Sequence, residues 1–187
     1  YGDASYRLGL IHEEGRGVEP NLKEAVRLYR LGFEQGSLGA MQRLARCHEK
    51  GIGVEQNKEE ARRLRIGISR TALEQSEGVK WEEDGEIEWG FDERNERLII
   101  KGKGQLEDYA DGNKTCRMKD YEWDDAPWRK KYEKQIKTVV VCHGVSSISK
   151  NAFYWCMNLK TAFISDSVEK IGESAFYNCA LASITIP

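Results

Sequence analysis

Cys142 and His143 are adjacent, and a thiol beside an imidazole is a pairing used for nucleophilic catalysis. Neighbours on a strand point to opposite faces, so these two are expected not to meet. His12 and His48 stand thirty-six residues apart near the ends of similar segments. They read as helix-end residues beside glycine caps rather than as metal ligands. Cys47, Cys116, Cys142, Cys156 and Cys179 make five cysteines, an odd number with no Cys-x-x-Cys spacing, so no zinc site is expected. Asp120, Glu122, Asp124 and Asp125 carry the acidity of a calcium loop but lack its glycine and closing glutamate. A solvated acidic loop is the expectation there. Gly15-Arg16-Gly17 and Gly102-Lys103-Gly104 are too short to cradle a phosphate, and neither precedes the Lys-Ser/Thr such a loop needs. No catalytic residue, metal ligand or cofactor is assigned.

The elements that carry these residues repeat themselves. At a spacing of thirty-six, Ala4 recurs as Ala40, Gly15-x-Gly17-Val18 as Gly51-x-Gly53-Val54, Asn21 as Asn57, Glu24-Ala25 as Glu60-Ala61 and Leu28 as Leu64. At a spacing of twenty-three, Val145 recurs as Val168, Ile148 as Ile171, Ala152-Phe153 as Ala175-Phe176 and Cys156 as Cys179. A fixed period marks units that cannot bury an apolar face alone and so stack into an array. Such arrays present long surfaces to partners.

In the first array, Ala4–Glu14 reads as a helix with Tyr6, Leu8, Leu10 and Ile11, ended by Gly15. Asn21 caps a second helix, and Glu24 is placed to answer back to the cap's own amide. Ala25, Leu28, Leu31 and Gly32 form its small and apolar face. Met41, Leu44 and Ala45, then Ala61, Leu64 and Ile68, repeat the plan with Asn57 and Glu60 as the caps. The pattern Ala4, Leu8-Gly9, Gly15-x-Gly17-Val18, Glu24-Ala25 and Gly36 resembles the Sel-one-like repeat, an α-solenoid relative of the tetratricopeptide repeat. Leu44-Ala45 departs from it, and a third copy would need Ala and Gly where Ser76 and Ile87 stand.

Beyond residue 76, Ile87, Trp89 and Phe91 alternate with polar neighbours, Asp92–Glu96 reads as a turn, and Leu98, Ile99 and Ile100 follow, which is a hairpin signal. Trp128 and Tyr132 suit a short capped helix after Pro127. Trp81, Trp89, Trp123 and Trp128 are expected to plug an array end rather than to line a cleft. Ile136, Val139 and Val141 align with Leu159, Ala162 and Ile164, then with Leu181, Ile184 and Ile186. Each unit is expected to offer one strand, a turn at Gly144-Val145 or Ser167-Val168, and a compact segment ending in Ala-Phe-x-x-Cys. Phe153 and Phe176 would stack as one ladder and Cys156 and Cys179, as buried small hydrophobes, would form another. These segments resemble BspA-like leucine-rich repeats, found mainly in bacterial surface and interaction proteins. Leu98–Gly104 and Ala126-Pro127-Trp128 resemble the N-terminal cap of that family. The resemblance implies a curved solenoid used for adhesion or protein binding, and no catalytic residue.

The fold class expected is thus α+β and multi-domain: helical hairpins of an α-solenoid, a β-hairpin cap, then a leucine-rich-repeat solenoid. The boundaries are 1–76, 77–135 and 136–187. The 187 residues are 40% apolar and 10% aromatic, which argues against general disorder. Residues 74–135 hold eighteen acidic against twelve basic side chains, and no stretch offers the basic stripe that nucleic-acid binding needs. No apolar run is long enough to cross a bilayer. Both ends read as cut from a longer polypeptide. The expected function is a non-enzymatic protein-interaction scaffold with partners of unknown identity. Self-association through exposed array ends is allowed for. Two alternatives stay open: a bacterial surface adhesin for host protein or glycan, and a regulatory or targeting part of a larger enzyme. Localisation leans cytoplasmic, and a signal peptide upstream would move it to the cell surface. Candidate contacts are Lys137, Val140, Lys160 and Phe163 on the strands, with Tyr154, Trp155 and Tyr177 after the Ala-Phe pairs.

Overall fold

Asn21 adopts an extended backbone and its side chain accepts the Glu24 amide at 3.0 Å, while Asn57 accepts the Glu60 amide at 3.0 Å. These caps start α2 (Leu22–Glu34) and α4 (Lys58–Glu74), and Ser37 caps α3 (Leu38–Lys50) through the Ala40 amide. α1 (Gly2–Glu14) ends at Gly15, and α3 ends at Gly51 in the left-handed region with φ +71°. The structure, a computed structural model, describes residues 2–106 and 126–185, and divides into two compact units, Tyr1–Gln75 and Ser76–Pro187. Cys116, Trp123, Asp120, Glu122, Asp124, Asp125 and Ile186 lie outside the described residues.

The loop after each first helix is built twice from the same bonds. Arg16 N–H donates to Ile11 O at 3.1 Å and Ile52 N–H to Cys47 O at 2.9 Å; Asn21 N–H donates to His12 O at 2.9 Å and Asn57 N–H to His48 O at 2.7 Å. This corrects one expectation. The cap's own amide is already taken by the preceding helix, so Glu24 turns to Arg27 instead, at 2.6 Å. His12 and His48 thus sit at helix ends, giving their carbonyls to the next cap.

Ala25, Val26, Tyr29, Leu44, Ala45, Cys47 and Leu64 form the core of the helical unit. Ala61 and Ile68 are buried with them, but Leu31 is exposed, so the apolar face of α2 is narrower than expected. Leu8 is 45% exposed while its counterpart Leu44 is 4% exposed. The difference is positional: α3 packs against both α2 and α4, whereas α1 has α2 along one side.

Glycine fits where helices touch. A Cβ on Gly9 would lie 2.4 Å from the Tyr29 ring, which is fully buried and held by its hydroxyl donating to Glu13 Oε2 at 2.5 Å. Burial first, and the Glu13 carboxylate second, push that phenol well above its ordinary pKa. The counterpart of Tyr29 is Arg65, and the counterpart of Gly9 is Ala45, which accounts for the Leu44-Ala45 departure. Gly9→Ala is expected to destabilise by about 1–2 kcal/mol, because the overpacking cost exceeds the roughly 1 kcal/mol that alanine's helix propensity returns. A double-mutant cycle with Tyr29→Leu, read by urea unfolding, checks it: the cost should vanish once the ring is gone.

In the second unit, β1 (Trp81–Asp84), β2 (Ile87–Asp92) and β3 (Arg97–Gly102) form an antiparallel meander. The far side of β3 pairs in parallel with β5 (Thr138–Val141), then β7 (Thr161–Ile164) and β9 (Ser183–Thr185), giving the order β1-β2-β3-β5-β7-β9. The register places Leu98, Val139, Ala162 and Ile184 on one ladder and Ile99, Val140, Phe163 and Thr185 on the next. A helix, α5 (Pro127–Tyr132), precedes β5; Ala126, the residue before it, makes no side-chain cap, and Pro127 opens the first turn.

Each unit makes the expected turn, at His143-Gly144 and at Asp166-Ser167, and adds a second short strand after it. β4 (Gly104–Gln105), β6 (Val145–Ile148) and β8 (Lys170–Ile171) form a parallel three-stranded sheet. The strands are two to four residues long and gain their bonds only from neighbouring units, so no local alternation announces them.

Inside the unit runs an aromatic column. Phe91 stacks on Tyr132 at 4.3 Å, Trp89 meets Trp128 edge-on at 5.9 Å, Trp128 stacks on Phe153 at 6.0 Å and Phe153 on Phe176 at 5.0 Å. Trp89 and Trp128 are therefore core. Cys156 is fully buried, and Cys179 follows it with its thiol donating to Phe153 O at 3.1 Å.

Candidate interaction surface

The turns that follow β6 and β8 are stacked by backbone bonds. Asn151 N–H donates to Glu173 O at 3.1 Å, Phe153 N–H to Ala175 O at 2.8 Å and Trp155 N–H to Tyr177 O at 2.9 Å. Both turns use left-handed residues at matching places: Asn151 (φ +57°) with Ser174 (φ +55°), and Trp155 (φ +62°) with Asn178 (φ +56°). This stacking buries Phe153 and carries the next side chains outward.

Tyr154 is half-buried, with the Arg129 guanidinium 5.6 Å from its ring centroid and Tyr177 stacked 5.1 Å away at an interplanar angle of 13°. Trp155 tilts against Tyr154 at 6.3 Å and is 43% exposed, and Tyr177 is 57% exposed. Lys137 and Lys160 are exposed at the entry to β5 and β7, where Lys160 N–H donates to Lys137 O at 2.9 Å and the Lys137 ammonium pairs with Glu96 at 2.5 Å.

Val140 and Phe163 are different. They face away from the core ladder but are 0% and 6% exposed, so the sheet has no bare outer face at these positions. Parallel sheets are covered on both sides, and their strands read as continuous apolar runs. Leu98-Ile99-Ile100 and Val139-Val140-Val141 are such runs, and that was the available signal. Met157, exposed beside Trp155, and Arg129, over Tyr154, adjoin these candidates, and neither is marked by the repeat pattern. Met157 has Ala180 as its counterpart, so periodicity hides it, and Arg129 arrives from α5 by tertiary packing.

The candidate chemistry resolves differently. Cys142 is buried while His143 is exposed, on opposite sides of the chain. The repeat ladder instead brings His143 to Ser165 and Asp166, with Nδ1 3.4 Å from Ser165 Oγ and 3.3 Å from Asp166 Oδ1. A Ser-His-Asp triad needs the serine and the carboxylate on opposite ring nitrogens. Here both meet Nδ1, and Ser167 Oγ donates to Val145 O at 2.8 Å, so the group staples one loop to the next. Among the described residues no disulfide joins Cys47, Cys142, Cys156 or Cys179, and burial pushes the Cys47 and Cys179 thiols up to about 11. Among the described residues no cluster of metal-ligating side chains occurs, and no helix is long and apolar enough to cross a membrane.

Comparison with known proteins finds two family models that match separate parts of the chain. The Sel1 repeat model matches residues 2–37 and 39–64, and the BspA type leucine rich repeat region matches residues 131–187. Both resemblances, and their order, are those read from the sequence. Among solved structures, a leucine-rich repeat protein from Eubacterium ventriosum is 26% identical over 55% of this chain, with a TM-score of 0.45. A Sel1 repeat protein from Oxalobacter formigenes is 33% identical over 40% of this chain, with a TM-score of 0.34. A protective antigen present in uropathogenic Escherichia coli strains, displaying an SLR fold, is 31% identical over 40% of this chain, with a TM-score of 0.35. The chain spans 24%, 29% and 15% of those three proteins. No curated protein matches it.

Proposed function

From a chain that carries Sel1 repeats ahead of a BspA-type leucine-rich repeat region, we propose a non-enzymatic protein-interaction scaffold. The supporting observation is the shared environment of repeat-equivalent residues. Ala25 and Ala61 are buried alike, as are Val145 and Val168, so side chains at matched positions serve packing between units and leave outward positions free to vary. The partner is a protein, gripped by Tyr154, Trp155 and Tyr177 with Lys137 and Lys160 alongside. The β1–β3 meander and α5 act as the N-terminal cap of the second array, which fits β3 pairing antiparallel on one side and parallel on the other. Self-association would use the bare face of α1, where Ala4 and Leu8 are exposed.

The experiment is capture from a native lysate, followed by calorimetry with each purified partner. A stoichiometric complex that weakens at least about tenfold with Tyr177→Ala, as loss of a contact anchor should, supports the reading. Absence of any direct complex, or substrate turnover by the chain itself, overturns it.

A further inference from the structure

We propose that Trp155 is an anchor for an acidic peptide segment of the partner, one that carries a large apolar side chain between its carboxylates. This rests on the scaffold reading above and adds the chemistry of the partner.

The backbone at Trp155 is left-handed, a conformation that only glycine, asparagine and aspartate visit readily. The fold supplies such a residue at the matching place in the next unit, Asn178. The turn therefore has no need of a tryptophan, and strain held in place by its surroundings points to function. The core does not need the indole either: Trp155 stays 43% exposed, while Phe153 two residues earlier is fully buried. The neighbouring turn of the next unit is also present. The Trp155 amide already donates to Tyr177 O, so the following turn is stacked in place. Met157, 52% exposed, extends the apolar surface with an adaptable thioether.

Charge names the occupant. Arg129 lies over Tyr154, Lys130 is exposed on α5, and the carbonyl of exposed Lys134 accepts Asn158 Nδ2 at 2.7 Å, which brings Lys134 beside the loop that holds Trp155 and Met157. Lys160 is exposed two residues beyond Asn158. Against them stand Glu133, half-buried, and Glu173, paired with Lys150 at 3.1 Å. Among the described residues, Lys130, Lys134 and Lys160 leave the rim cationic around an aromatic centre, and such a surface selects carboxylates flanking a hydrophobic side chain.

The test uses the whole chain and a short fluorescein-labelled peptide of alternating Glu and Leu, read by anisotropy. Two control peptides replace Glu by Lys and Leu by Ser. Wild type should bind the first, more tightly at low salt, and neither control. Trp155→Asn and Trp155→Ala should each weaken binding at least about tenfold. Lys130→Glu with Lys134→Glu should weaken it and flatten the salt dependence. Both Trp155 variants remove the indole, but only alanine keeps the left-handed penalty, so the asparagine variant should melt about 2–8 °C above the alanine one. Wild-type affinity in Trp155→Asn, equal binding of the Lys peptide, or the reverse order of melting overturns the proposal. So does tryptophan quenching by a soluble glucan in a protein that binds no peptide. A stoichiometric protein complex indifferent to Trp155 would remove this anchor and leave the scaffold standing.

Discussion

Trp128→Ala should destabilise the second unit by about 3–5 kcal/mol, the range for deleting a large buried aromatic. Trp128 is fully buried between Trp89 and Phe153, so the substitution opens a cavity in the middle of the column that joins the meander to the repeats. Its indole N–H also donates to Ala152 O at 2.9 Å, and that buried carbonyl would lose this donor. The hydrogen bond is worth about 1 kcal/mol net. Trp128→Phe keeps most of the packing and should therefore cost less than half as much as the alanine change. Urea unfolding followed by near-ultraviolet circular dichroism measures both. A cost under about 1 kcal/mol for alanine would mean that the column does not hold the unit together.

Asp92→Asn should cost about 3–5 kcal/mol at neutral pH, as removal of one partner of a buried ion pair does. Asp92 and Arg97 are 5% and 4% exposed, and their contact is 3.0 Å. The carboxylate also accepts the Arg94 and Asn95 amides and the Asn95 side chain, which closes the hairpin between β2 and β3. Burial by itself would raise the carboxyl pKa; the Asn95 and Arg97 hydrogen bonds outweigh it and hold the group below its ordinary value. A folded pKa below the unfolded value of about 3.9 means the stabilisation is complete above that value and is lost as pH falls through the folded one. The gap between wild type and Asp92→Asn should thus be constant from pH 7 to about 5 and narrow below about 4. Unfolding free energies across that series check it. A gap that persists at the acid end would show that packing, not charge, sets the cost.

The candidate surface was legible only in part. Tyr154, Trp155 and Tyr177 are candidates because they follow a periodic Ala-Phe pair, and the alternation along each strand tells which residues turn away from the core. Alternation does not tell whether the far side is covered. Phe163→Asp, a surface probe on sequence grounds, instead places a charge at a buried position and would report on stability, not on binding. The left-handed backbone of Trp155 was also invisible, since a tryptophan carries no sign of φ.

Capping and periodic burial act over a few residues, so the chain's order of letters suffices for them: Asn21 finds the Glu24 amide, Asn57 the Glu60 amide, and the two spacings follow. The resemblance to two repeat families, in the order in which their models match, is legible at that level. Whatever needs a second segment was decided by packing. The amide of Asn21 went to His12 and freed Glu24 for Arg27, β6 became a strand only because β4 and β8 lie beside it, and His143 met Ser165 and Asp166 across the ladder. The physical reason is range. Local hydrogen bonds compete on nearly equal terms in any context, whereas pairing and burial depend on partners that the chain brings near only when folded.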